Sequence, residues 1–242
     1  MLYLLESPIA ITAGIATCIP PLLLGAYLLL KAINQSGRDR AISILGSLTG
    51  FFIFGGFLVG VVLENLLLPA LPSISEQLPY YQASFVLIGV GSFFLLYWSV
   101  MMGVPDLFAK RKQLSIMPIM HIAAFVVLTL FFTTSANAMQ ISNGVESYIK
   151  MPLNVSVLAI LWVIVYLGVA PLYSIGQQIK AKDIDETPKI EGFREMWLGS
   201  LLQLIGFLFE VIQFHDSMIS IARILIATGW FWIFQGVRRS YL

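Results

Sequence analysis

Few residues in this chain could do chemistry, and most of those lie inside long apolar runs. Glu210 and Arg223 are ionisable groups set well within such runs, where burying a charge is costly and a partner or a function is the default expectation. Glu64 and Asn65 close another run, and His215 and Asp216 occupy the short turn between the runs that hold Glu210 and Arg223. At 1.5 Å per helical residue, Glu210 and Arg223 each fall about 8 Å below the same end. These six residues are expected to line one polar cavity for a ligand or an ion, with Glu210 and Arg223 as an ion pair within it. The plainer alternative is that the pair neutralises two charges and fixes one helix against the next.

No soluble catalytic signature accompanies them. The chain has no phosphate-binding loop, no H-E-x-x-H and no G-x-S-x-G. Of the two histidines, His121 falls about 10 Å in from the opposite face to His215, so the pair does not suit a bis-histidine haem. The single cysteine, Cys18, leaves no disulfide framework, zinc cluster or iron–sulfur site. No metal and no cofactor is implied, and an enzyme is the least favoured class. A second polar candidate is a central pocket lined by Gln203, Trp162, Tyr166, Trp230 and Trp232. An aromatic stripe at helical spacing is more often core than binding site.

The elements that position these residues follow from composition. Of 242 residues, 58% are hydrophobic and 11% charged, and the mean hydropathy is +0.88. Soluble domains carry about 25% charged residues, and disorder requires low hydrophobicity. The chain therefore reads as an integral membrane protein. Net charge is +1, which offers no general attraction to nucleic acid. Runs long enough to span a bilayer lie near 8–31, 41–64, 81–103, 114–134, 152–176, 196–215 and 218–236. The expectation is an all-α, polytopic bundle of seven transmembrane helices, forming one domain over residues 1–242. Met1 to Gly14 lacks the positive region of a cleavable signal, so the first run reads as a retained helix.

Basic residues set the orientation. Lys31, Arg38 and Arg40, then Lys110, Arg111 and Lys112, then Lys180, Lys182, Lys189 and Arg194, and finally Arg238 and Arg239 all fall on one side. Of the 14 Lys and Arg residues, that leaves Lys150 on the other side and Arg223 within the last run. The N-terminus is expected outside and the C-terminus inside, in the cell membrane. Tyr80, Tyr81 and Tyr148 would mark the outer boundary, and Trp98, Trp197 and Tyr241 the inner one. Gly46, Gly50, Gly56 and Gly60 are spaced for a packing seam. Pro20, Pro21 and Pro171 are expected to kink the first and fifth helices. A proline, a charged loop and a Gly-Ser-Leu triplet occur twice, at Pro21 with Gly46-Ser47-Leu48 and at Pro171 with Gly199-Ser200-Leu201. Helices one to three would then echo five to seven.

Three resemblances bear on function. Seven helices with the N-terminus outside are similar to microbial rhodopsins, but residues 217–236 contain no lysine for a retinal Schiff base. The orientation and the three-plus-one-plus-three arrangement resemble the sugar-transporting SWEET family in architecture, with Pro20 or Pro21 and Pro171 at the matching places; helices two and six lack that family's prolines. The basic loops followed by Gly46-Ser47-Leu48 or Gly199-Ser200-Leu201, in helices ending in acidic or polar groups, resemble the seven-helix membrane sensory region of prokaryotic histidine kinases. That resemblance implies a receptor-like sensory or ligand-binding module. With no kinase within the 242 residues, it would act through a separate cytoplasmic or membrane signalling partner, docked at Lys110–Lys112 or along Lys180–Arg194. Small-solute or ion transport, and a structural role in a membrane complex, are the competing classes.

Overall fold

The computed structural model describes residues 8–62, 74–103, 160–164, 170–181, 187–212 and 216–240, with single positions at 157 and 168. All regular structure among them is helical: α1 (Pro8–Ile33), α2 (Gly37–Val62), α3 (Ile74–Gly103), α4 (Ala170–Ala181), α5 (Thr187–Ile212) and α6 (Asp216–Ser240). Four segments are long and apolar enough to cross a membrane: Thr12–Ile33, Gly37–Gly60, Gln82–Ser99 and Ser220–Ser240. The expected spans at 114–134 and across most of 152–176 lie outside the described residues, as do Lys110, Arg111, Lys112, His121, Tyr148 and Lys150.

Apolar side chains cover the outside of the bundle as well as its core. Ile15, Ile19, Leu22, Leu29, Leu30 and Ile33 of α1 are exposed, an apolar patch that water would penalise and lipid does not. The core joins Leu24, Ile53, Trp98, Phe207, Ile226 and Trp230, drawn from five of the helices.

Helix ends depart from the sequence reading where proline was taken as a break. α3 runs from Ile74 through Pro79, seven residues ahead of the run expected from 81. The charged stretch from Lys180 is mostly helix too, because Pro188 stands in the first turn of α5, where its missing N–H costs no hydrogen bond. α1 continues through Pro20 and Pro21. At Pro171 the outcome differs. Val163, Ile164 and Gly168 take π-helical geometry ahead of Pro171, which stands in the first turn of α4. The α1–α2 turn closes on Gly37, whose φ of 58° is the left-handed value glycine favours.

Each helix packs chiefly on the next in the chain, and α6 packs on α1. The six therefore form a closed ring whose neighbour order is the same read from α1 or from α4. Gly56-Phe57-Leu58 in α2 and Gly206-Phe207-Leu208 in α5 are 150 positions apart, as are Pro21 and Pro171. Phe57 and Phe207 stack on each other, with ring centroids 6.1 Å apart and planes 18° apart. On this offset the two Gly-Ser-Leu triplets are out of register by three residues, nearly one turn. The echo therefore rests on a different triplet from the one the sequence suggested.

Basic side chains gather at one end of the ring. Lys31 is in the last turn of α1, Lys180 in that of α4, and Arg238 and Arg239 in that of α6. Arg38 at the start of α2 donates to the Met101 carbonyl near the end of α3 (2.6 Å), which satisfies an oxygen the helix end leaves open. Arg239 binds Glu195 of α5 at 2.6 Å and reaches Glu191 at 3.8 Å. Tyr27 meets Phe234 edge-on at 6.2 Å, which brings the ends of α1 and α6 to one level.

Candidate functional site

The α5–α6 hairpin builds the site. Gly192, Gly199 and Gly206 recur every seven residues along α5, facing Gly236, Gly229 and Ala222 on α6. A Cβ on Gly199 would lie 2.5 Å from the Gly229 carbonyl oxygen, and one on Gly206 would lie 2.9 Å from that of Ala222. Backbone thus meets backbone, the closest approach helices can make. Beside this seam each helix turns a buried line inward at spacings of three and four. On α5 it runs Phe193, Met196, Ser200, Gln203 and Phe207; on α6 it runs Arg223, Ile226, Trp230, Ile233 and Val237.

Of the six residues first expected to form a cavity, Arg223 is the one whose side chain is described, and it is buried at 7% exposure. Glu210 closes α5 and Asp216 opens α6, so their backbones share the end opposite the basic cluster. The glycine register sets Glu210 about one turn, ~5 Å, nearer that end than Arg223. Glu64, Asn65 and His215 lie outside the described residues, so the six-residue cavity stays an expectation.

The second candidate group is better represented. Gln203 is fully buried, and neither its amide oxygen nor its amide nitrogen has a hydrogen-bond partner. It lies against Gly229, where an added Cβ would come within 2.8 Å of the Gln203 Cγ. The next residue, Trp230, is fully buried with its indole nitrogen unpartnered. Trp162 donates from Nε1 to the Ser92 hydroxyl at 3.1 Å and so ties its segment to α3. Trp232 is half-buried, and Tyr166 lies outside the described residues. Trp98, expected to anchor at the inner boundary, is instead 1% exposed and packs its indole on Gly46. A glycine facing a tryptophan leaves room for the ring inside the bundle, and hydropathy alone does not distinguish that from a belt.

Sequence reasoning missed the α5–α6 seam, although the seven-residue glycine spacing was there to be read. It did find the α2 seam. Gly50 meets the backbone of Gly25 and Pro21 in α1, and Gly56 meets Ile88 and Ser84 in α3. Hydroxyls reinforce these contacts: Ser47 donates to the Gly25 carbonyl (2.9 Å) and Ser84 to the Gly56 carbonyl (2.8 Å). Among the described residues no cluster of His, Cys, Asp and Glu is arranged to hold a metal ion. Comparison of the chain with protein-family models, with curated proteins and with solved structures finds no match.

Proposed function

We propose that this protein is a multi-pass carrier of the cell membrane that moves a small solute between two three-helix halves, α1–α3 and α4–α6. The observation that carries this reading is where the tight contacts fall. The backbone-tight approaches at Gly50, Gly56 and Gly91 join α1 to α2 and α2 to α3, and those at Gly192, Gly199, Gly206, Gly229 and Gly236 join α5 to α6, each inside one half. The halves meet instead through side chains: Tyr27 on Phe234, Phe57 on Phe207, and Trp162 on Ser92. Backbone-tight seams make rigid units of α1–α3 and of the α5–α6 hairpin, which α4 joins through the Trp197 side chain, whereas the side-chain contacts between the halves can repack, as rocking of one repeat against another requires. The equivalent prolines, Pro21 inside α1 and Pro171 in the first turn of α4, each remove a backbone donor, which leaves a place where the first helix of each half can bend. A seventh span between α3 and α4 would let both halves run the same way, with the basic end inside.

Spin-label distances test this without knowledge of the solute. In a Cys18→Ser background, labels at the exposed positions Ile33 and Lys180 report between halves, and labels at Leu198 and Ile221 report within one. Two distance populations are expected for the first pair in lipid, and one for the second. A single narrow population for both pairs would overturn the carrier reading and favour a static, receptor-like ligand-binding module acting through a signalling partner.

A further inference from the structure

The structure assigns to Gln203 and Trp230 a binding site for a small, uncharged solute that both donates and accepts hydrogen bonds, a class represented by short amides and polyols. This deepens the carrier reading by naming its substrate class, and the binding itself does not depend on movement of the halves.

Three polar atoms carry the argument: the amide oxygen and nitrogen of Gln203 and the indole nitrogen of Trp230, all buried and all without a partner. Leaving such a group unmatched costs about 1–3 kcal/mol, and buried polar groups nearly always find one. The helix register places Gln203 level with the stretch between Arg223 and Trp230, near the middle of α6. That is the depth at which carriers bind their substrates.

The position is also asymmetric. The residue 150 positions before Gln203 is Ile53, which is fully buried in an apolar setting. An apolar residue therefore suits this place in the fold, and the glutamine in the second half is not required for packing. Its neighbours on the α5 line are Ser200 and Phe207, and the Ser200 hydroxyl is already committed to the Met196 carbonyl (2.9 Å). Among the described residues no protein group answers the amide.

The chemistry then selects the guest. An amide presents one donor edge and one acceptor edge, and the indole adds one donor. None of these groups carries charge, so an ion entering at this depth would find no counter-charge among them to offset its desolvation. A molecule with a carbonyl or hydroxyl acceptor and its own N–H or O–H donor can answer both edges of the amide, and the indole, about one turn away in the hairpin register, offers its acceptor a second donor.

Saturation-transfer NMR on the protein in nanodiscs tests this with acetamide and glycerol as neutral probes, and acetate and methylammonium as charged counterparts. Transfer to a neutral probe is expected, falling about tenfold in Gln203→Leu and in Trp230→Phe, the equivalent of losing one buried hydrogen bond. Gln203→Leu should fold, since it removes an unanswered amide, and Trp230→Phe keeps the ring while deleting the donor. No transfer to either neutral probe, transfer to the ions alone, or undiminished transfer in both variants would each overturn the site. Neutral-probe binding combined with a single spin-label population would keep the site and reject the carrier. Two populations with no neutral binding would do the reverse.

Discussion

Gly199→Leu is expected to abolish the fold of the second half. A Cβ there already falls 2.5 Å from the Gly229 carbonyl oxygen and 2.8 Å from Ile233 Cγ1. The first obstacle is backbone, which cannot rotate aside, so α5 and α6 must separate along the seam. Separation strips contacts at the neighbouring pairs, Gly192 with Gly236 and Gly206 with Ala222. The cost is roughly 3 kcal/mol or more, in the range of severe overpacking. Gly199→Ala should show the same sign at smaller size. Gly176→Ala is the control, because its nearest neighbour is the Trp197 indole nitrogen at 4.0 Å. There alanine should gain up to about 1 kcal/mol from helix propensity. Thermal melts in detergent, followed by fluorescence-detected size exclusion, separate the cases. Equal melting of Gly199→Leu and wild type would mean that the hairpin is not packed along this seam.

The contrast between these two glycines explains what the sequence could reveal. Seven-residue spacing on both α5 and α6 marks them as an antiparallel pair with small residues in register, and that pattern is present in the chain without any coordinates. Which partner a seam faces is not. The α2 glycines look like one stripe, yet Gly50 serves α1 while Gly56 and Gly60 serve α3, because positions six and ten residues on from Gly50 fall on a different side of the helix. Apolar runs made the helices legible, since length and hydropathy dictate them directly. Helix ends were less so, because proline in a first turn and proline inside a helix look alike in sequence. The buried amide of Gln203 was visible as a polar residue in an apolar run. Its lack of a partner was not, for that depends on which side chains of three other helices come near it.

The second large effect concerns Arg223. A buried guanidinium within the last helix must be answered, and we propose that Glu210 answers it. Arg223 begins about one turn below Glu210 in the hairpin register, and a helical side chain leans toward its own N-terminus. For α6 that is the end where Glu210 closes α5. Removing one partner leaves a charge stranded away from water, so Arg223→Leu and Glu210→Leu should each cost about 3–5 kcal/mol. The double variant Glu210→Leu with Arg223→Leu should recover most of that loss, because an apolar pair of similar volume replaces a buried ion pair at little or no cost. The exchange Glu210→Arg with Arg223→Glu should recover part of it, limited by the changed side-chain lengths. Melting temperatures of wild type, the two leucine variants and their double form one closed cycle, and wild type, Glu210→Arg, Arg223→Glu and the exchange form a second. Additive losses in both doubles would assign Arg223 another partner. Coupling would assign Glu210 as the partner that answers the buried guanidinium.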